Sequence, residues 1–473
     1  MQTLNQYFLR RATIVYILAL LACFVIYVKH WMPWYWYFTG LLEVTLFYVL
    51  SNYFQREWRR VPPASFERNV FWVALWIRLF WILGYYLFTT SVWNTPWEQP
   101  IGTSMDSEVY YDVGKWINEL IKSRELSSYF AYLQMMGHYS DSGYPLLLGV
   151  SRFIIGDSIV LTRVPNAFFD AWTTVLVYKI AKNNFNESTG RLASYFAILM
   201  PMMIFYTGVT MKESLMLMLI TWAIERGDVV IREKDYKGLS LASFIILSFS
   251  VSLFRTAITW VLILAFICAL VLSSERVLNQ SRRVIVLIIV VFGAFFFLEG
   301  IIMEQGEELI EQFESTGQNF ENRAAREGGN TLVSNLSKAM FFPILFTLPF
   351  PTMVTVEGQH IQLIQNGGYF LKNILSFFCI FALVLMVLRG EWRNNVLILA
   401  YLGGYLIVLG LSSFAQSGRF HHPAIPIELI LSAYGIGLIK NKKEAKLFDY
   451  FLAFEFLVIV LWNGFKLKGR GLL

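Results

Sequence analysis

The stretch Tyr144-Pro145-Leu146-Leu147-Leu148-Gly149-Val150-Ser151-Arg152-Phe153-Ile154-Ile155 decides how the rest of the chain is arranged. It is apolar, but its 12 residues reach only about 18 Å at helical rise. The hydrocarbon core of a bilayer is about 30 Å thick. The segment is therefore expected to lie flat on a membrane surface rather than to cross. If it crossed, every later loop would change side.

Outward from it, apolar runs long enough to span, or nearly so, follow one another in both directions. They cover residues 12–28, 34–53 and 71–87 before it, and 160–180, 192–205, 213–224, 239–254, 257–272, 284–298, 374–388, 396–411, 424–439 and 447–462 after it. Composition agrees. Of 473 residues, 15% are charged and 17% aromatic, where a soluble domain carries about 25% charged residues. Mean hydropathy is +0.52. The expected fold is an all-α polytopic membrane protein with about 13 transmembrane helices. Run 12–28 continues past Cys23 and more runs follow it, so it reads as an uncleaved first helix. Cys23, Cys268 and Cys379 each sit inside an apolar run without metal-ligand spacing and read as buried, inert thiols.

The net charge of +6 does not point to nucleic acid. Lys and Arg cluster in short turns between apolar runs, the pattern that encodes membrane topology. Arg10 and Arg11, then Arg56, Arg59, Arg60 and Arg68, then Lys179, Lys182 and Arg191 mark alternate turns as cytoplasmic. The later clusters around Arg232, Arg282, Arg389 and Lys443 keep the alternation, and Lys466, Lys468 and Arg470 break it at the end. The expected localisation is an inner or plasma membrane, with a cytoplasmic N-terminus. Five regions result: three N-terminal helices (1–90), a first outer loop (91–158), central helices (159–300), a second long outer loop (301–373) and C-terminal helices (374–473). The first loop carries an amphipathic helix in which Val109, Val113, Trp116, Ile117, Leu120 and Ile121 share one face, suited to the headgroup region. The second begins acidic, with Glu304, Glu307, Glu308, Glu311 and Glu314, and ends in a Pro-rich apolar stretch over 341–351.

Charged residues at the outer ends of helices carry the chemistry. Asp106-Ser107-Glu108, followed by Tyr110 and Tyr111, puts two carboxylates just before a helix. They can serve as a base and a ligand, or Asp106 can simply cap that helix. Lys212-Glu213 stands at the mouth of two helices, as an interfacial anchor or as part of a site. Arg255 occupies a tight hairpin, and Arg419 lies in Ser417-Gly418-Arg419-Phe420-His421-His422-Pro423. Cations on the outer side run against the positive-inside bias and favour an anionic ligand, with snorkelling to lipid phosphate as the plainer reading. Together, Asp106, Lys212, Glu213, Arg255 and Arg419 at one face suit a phosphate-bearing lipid substrate. Deeper charges are Glu43 and Arg78, expected to pair with each other because their helices are consecutive, and Asp170. His138 reads as a surface histidine.

This order of features resembles the GT-C membrane glycosyltransferases, which use polyprenyl-phosphate sugars. The resemblance rests on the acidic motif in the first outer loop, then Gly143-Tyr144-Pro145-Leu146-Leu147-Leu148-Gly149, then Thr162-Arg163-Val164-Pro165, Gly190-Arg191-Leu192-Ala193, Met200-Pro201 and Lys212-Glu213. Late in the chain, Arg419 is followed by Pro423, Pro426 and Ala433-Tyr434-Gly435. It covers residues 91–220 well and 417–435 moderately, and the first two helices look like an addition. The resemblance implies transfer of a sugar from a polyprenyl-phosphate donor to a hydroxyl of a glycan, lipid or protein acceptor on the outer face, with inversion, for cell-envelope glycan or glycoconjugate synthesis. It implies Asp106 as general base, Glu108 orienting the acceptor or helping to bind a metal, Glu213 as a second acid, and Lys212, Arg255 and Arg419 on the phosphate, with Tyr110 and His421 lining the substrate. No cofactor is required; a divalent cation, Mg or Mn, on Asp106 and Glu213 is left open. Two rivals remain: a polymerase or ligase using a diphosphate-linked glycan, and a transporter of lipid-linked saccharide. The transporter requires charges along a path through the bilayer, for which Glu43, Arg78 and Asp170 are the candidates.

Overall fold

The computed structural model describes residues 6–98, 106–136, 139–234, 238–273, 346–356, 360–411 and 417–472. Among the described residues the protein is all-α, with no strand. Run 284–298, the acidic run from Glu304 to Glu314 and His138 fall outside them.

The apolar runs become helices α1 (Gln6–Ile26), α2 (Trp34–Glu57), α3 (Pro63–Val92), α7 (Val164–Asn184), α10 (Glu213–Glu233), α11 (Leu239–Val251) and α12 (Thr256–Leu272). The later runs become α14 (Asn366–Leu388), α15 (Val396–Leu411), α17 (Ile425–Leu438) and α18 (Lys442–Lys468), with α13 (His360–Ile364) and α16 (Gly418–His421) as short pieces. Local signals set several ends. Pro165 lies in the first turn of α7, where its missing N–H is no loss. Asn441 and Glu444 form a reciprocal capping box that starts α18. The run 192–205, expected as one helix, is two: α8 (Glu187–Leu199) and α9 (Pro201–Thr207). Pro201 forces Met200 out of helical geometry, to φ −64° and ψ 112°, as the residue before a proline must be.

By length and composition alone, two described helices, α3 and α14, are long and apolar enough to cross a membrane. The expected count of about 13 spans is therefore not established. Of the others, α11 and α12 are brief, and charges such as Glu225, Arg226 and Asp228 interrupt α10.

Which helix ends meet is clear from the contacts. At one end of the bundle Arg191 donates to the carbonyls of Trp58 (2.7 Å) and Val61 (2.6 Å), and Lys179 pairs with Glu67 at 3.4 Å. Arg232 reaches Asn184 at 2.8 Å there. These are residues that the sequence assigned to a common side. At the other end the first-loop helices α4 (Asp106–Ser123), α5 (Ser127–Met136) and α6 (Gly143–Ile155) gather. The deciding segment, α6, lies along α4, and its Tyr144 accepts from Asn166 of α7 at 3.0 Å. Two glycines allow the approach: a Cβ on Gly149 would sit 2.4 Å from Ile117, and one on Gly114 would sit 2.7 Å from Leu148. Ile117 and Leu120 of the predicted amphipathic face are buried, with Val113, Trp116 and Ile121 packed on them; Val109 is exposed.

The deep charges pair differently from the expectation. Arg78 bonds to Asp170, not to Glu43, and both side chains are fully buried. The guanidinium also donates to the carbonyls of Ala74, Ala197 and Ile198. Glu43 instead accepts from the backbone N–H of Gly368 at 3.0 Å. Sequence adjacency of α2 and α3 misled here, because α3 packs on α7, which carries Asp170, and α2 packs on α14. Residues 346–356 form no helix beyond a single turn at their start, yet most are buried. Their backbone is satisfied by side chains: Lys372 donates to the carbonyls of Phe346 (2.8 Å) and Leu348 (2.7 Å), and Asn463 accepts from Met353 N–H (2.7 Å) and donates to Pro351 (3.1 Å). Irregular backbone away from water persists only where protein groups satisfy it. Helix α14 already begins at Asn366, inside the stretch expected as the end of the second loop.

Candidate active site

Three distant parts of the chain converge at the end of the bundle where α4 starts. Arg419, on the short helix α16, donates from Nε to Glu213 Oε1 and from Nη1 to Asp106 Oδ2. Glu213 opens α10 and is fully buried; Asp106 opens α4 and is largely exposed, its side chain 62% accessible. One guanidinium thus joins a carboxylate sealed in protein to one facing out. Gly418 makes the placement of α16 possible, since a Cβ there would sit 2.4 Å from the Tyr369 hydroxyl oxygen.

A second cation stands beside the first. Lys212, immediately before α10, is buried; its Nζ donates to the carbonyl of Phe254 at 2.6 Å and pairs with Asp141. Asp141 also accepts from the Tyr110 hydroxyl at 3.2 Å. Burial lowers the Lys212 ammonium to about 7, and the positive Arg255 and Arg419 act in the same direction against the pull of Glu213 and Asp106. Burial, reinforced by the negative Glu213, pushes the Tyr110 phenol up to about 12. Arg255 lies just before α12 and places its guanidinium 4.2 Å over the ring of Phe420, next to Arg419 in sequence. The Tyr405 hydroxyl donates to the Phe420 carbonyl at 2.6 Å, which fixes that residue from below.

The structure brings together Asp106, Glu213, Arg419, Lys212, Arg255 and Tyr110. It does not bring Glu108 to them: two residues after Asp106 on a helix, that side chain points about 200° away and is exposed. His421 is fully buried in the turn after Arg419, so it is part of the support beneath the cluster rather than its lining. Asp141 escaped the sequence reading because nothing in Asp141-Ser142-Gly143 marks it except its position directly before the flat apolar segment. It holds φ +69° there, a conformation Asp tolerates better than most residues. Glu98 escaped too. It is 1% exposed, beside Ser107, and close enough to Arg163 and Arg419 to feel both charges. Burial pushes its carboxyl up against those two cations.

A metal fits this arrangement poorly. Arg419 stands between the two carboxylates that a cation would bridge, and among the described residues no group of three His, Cys, Asp or Glu side chains has ligating geometry. What the cluster offers is an exposed carboxylate, Asp106, on Arg419, with the cations Lys212 and Arg255 close by.

Two comparisons bear on this. No curated protein matches the chain. Residues 118–304 match the model of the Alg9-like mannosyltransferase family, a stretch that takes in helix α6, the Lys212-Glu213 mouth of α10 and the Arg255 hairpin. Over that stretch the chain is similar to a family of membrane glycosyltransferases of the GT-C kind.

Proposed function

We propose that the protein transfers a sugar, with mannose the first to test, from a polyprenyl-phosphate donor to an acceptor hydroxyl on the outer face of the membrane, with inversion. The observation that carries the reading is the sharing of Arg419 between Asp106 and Glu213. A guanidinium prefers a phosphate held by two parallel hydrogen bonds. A donor phosphate would compete with Asp106, the more exposed and less confined partner, and leave Glu213 in place to orient Arg419. Donor binding would then free the carboxylate that the next step needs.

In that step the acceptor oxygen attacks the anomeric carbon while Asp106 takes the hydroxyl proton. The bond from the anomeric carbon to the phosphate oxygen breaks, and its electron pair stays on that oxygen. The products are the glycosylated acceptor and polyprenyl phosphate, with the proton on Asp106. Arg419, Lys212 and Arg255 balance the charge that grows on the leaving phosphate, a contribution of the kind that is usually the largest single part of catalysis. Arg419 supplies the positive charge between the carboxylates, so no divalent cation is needed and turnover should survive excess EDTA.

The basic turns expected to be cytoplasmic gather at the opposite end of the bundle, which supports an outer placement of the site. A saccharide transporter is disfavoured, since of its three candidate charges Arg78 and Asp170 are sealed against each other and Glu43 is bound to backbone. The test is incubation of purified protein in nanodiscs with labelled polyprenyl-phosphate sugars and membrane extract. Label should move to an acceptor and polyprenyl phosphate should appear. Transfer only from a diphosphate-linked glycan would overturn the single-phosphate reading.

A further inference from the structure

Arg152, in the last turn of α6, is buried with its donors unspent. Its side chain is 0% exposed, and its guanidinium carbon lies 3.7 Å from the centre of the Tyr111 ring of α4. Nη2 stands 2.8 Å from Oδ1 of Asp157 but is poorly aligned with it, and none of the three guanidinium nitrogens has a hydrogen-bond partner of good geometry among the described residues. Arg78, as deeply buried, spends its donors on Asp170 and three carbonyls. Buried donors left without partners are costly, and a guanidinium carries five of them in a fork that fits an oxyanion. What covers Arg152 is open to exchange. The Asp157 side chain is 58% exposed, and it also accepts a 3.2 Å bond from the Tyr111 hydroxyl. It follows Gly156, which holds φ +94°, a conformation that costs glycine little, with nothing within 4 Å of where a Cβ would be.

We propose that Arg152, with Tyr111 and the exchangeable Asp157, forms a phosphate subsite separate from the Arg419 cluster. An incoming phosphate takes the guanidinium from Asp157, whose loop turns outward on Gly156, and the Tyr111 hydroxyl donates to the phosphate in place of the carboxylate. As with Arg419 and Asp106, a buried cation is covered by an exposed carboxylate, but the place differs. Tyr111 follows Asp106 on α4 by five residues, about 7.5 Å along the helix axis and about 140° around it. The two subsites therefore face different sides of α4. Next to Arg152, Phe153, Ile154 and Ile155 of α6 are all exposed. A phosphate carried on a lipid suits both features, with the headgroup on Arg152 and the acyl chains along those apolar side chains.

The test reads binding rather than turnover, so its outcome is independent of the transfer reaction. Full-length protein in detergent is titrated with radiolabelled dihexanoyl phosphatidic acid and, separately, with radiolabelled inorganic phosphate. Arg419 can hold a phosphate of its own, so the subsite is identified by its variants. Arg152→Gln should weaken one phosphate-binding component about ten- to hundredfold, the scale of hydrogen bonds to charged groups. Asp157→Asn removes the competing charge and should tighten the same component about two- to fivefold, the scale of a partly exposed ion pair. A purely structural pair would leave that affinity unchanged or lower it. Arg419→Gln should leave the component in place. A response to phosphatidic acid alone assigns the subsite to a lipid headgroup; a response to inorganic phosphate, alone or as well, shows that the phosphate suffices without a lipid. The proposal is overturned if neither ligand's affinity responds to the two variants, or if Asp157→Asn fails to tighten binding. If Arg152→Gln does not fold, the exposed Asp157→Asn decides the matter by itself.

Discussion

Two arginines in this protein each meet carboxylates, and they differ in what surrounds them. Arg78 and Asp170 are both fully buried, and the guanidinium spends its remaining donors on three backbone carbonyls. Arg419 reaches Asp106 and Glu213, but the Asp106 side chain is 62% exposed. The first pair has nowhere to go and nothing to admit. The second can exchange one partner for an incoming anion without stranding a charge in the bundle. Identical chemistry is thus structural where it is sealed and available for reaction where one side is open. Burial on its own does not mark function.

That contrast can be broken by mutation. The largest effect expected is on Asp106: Asp106→Asn should reduce kcat about 10²–10⁴-fold, the range for loss of a general base, with an unchanged thermal unfolding midpoint in detergent. Near-normal turnover would remove its assigned role. Arg78→Leu should do the opposite. Breaking a buried pair costs about 3–5 kcal/mol, so folded yield and unfolding midpoint should collapse, and Arg78→Leu/Asp170→Leu should recover much of the loss. A stable, inactive Arg78 variant would put the sealed pair in the reaction after all. Arg419→Gln should slow turnover about 10²–10³-fold, as for removal of one donor to a developing anion, and lower the unfolding midpoint, because buried Glu213 loses its partner.

The smallest effect concerns pH and sharpens the contrast from the open side. Lys212 is held near 7 by burial, so its positive charge is present below that pH and lost above it. Donor KM should rise severalfold between about pH 6 and pH 8.5. Lys212→Arg, which stays charged throughout, should flatten the profile. A steep rise that persists in Lys212→Arg would assign the dependence to another group.

Much of this was legible in the chain. Alternating apolar runs and basic turns gave the helices and the ends at which they meet. Charges at helix ends singled out Asp106, Lys212, Glu213, Arg255 and Arg419, which the structure places together. Glu108 was misjudged because proximity in sequence is not proximity on a helix, where a step of two residues reverses direction. Asp141 and Glu98 were invisible because they lie in loops, where no periodicity tells which way a side chain faces.

Hydropathy and helical period, which are local, were enough to determine an all-helical chain with a short apolar helix between longer ones. Only the tertiary structure decided the partners. Arg78 chose Asp170 over Glu43, and Arg419 joined carboxylates 313 and 206 residues away, because ion pairs are set by which helices pack together. That packing depends on close approaches such as Gly149 on Ile117, and no stretch of sequence contains both sides of such a contact.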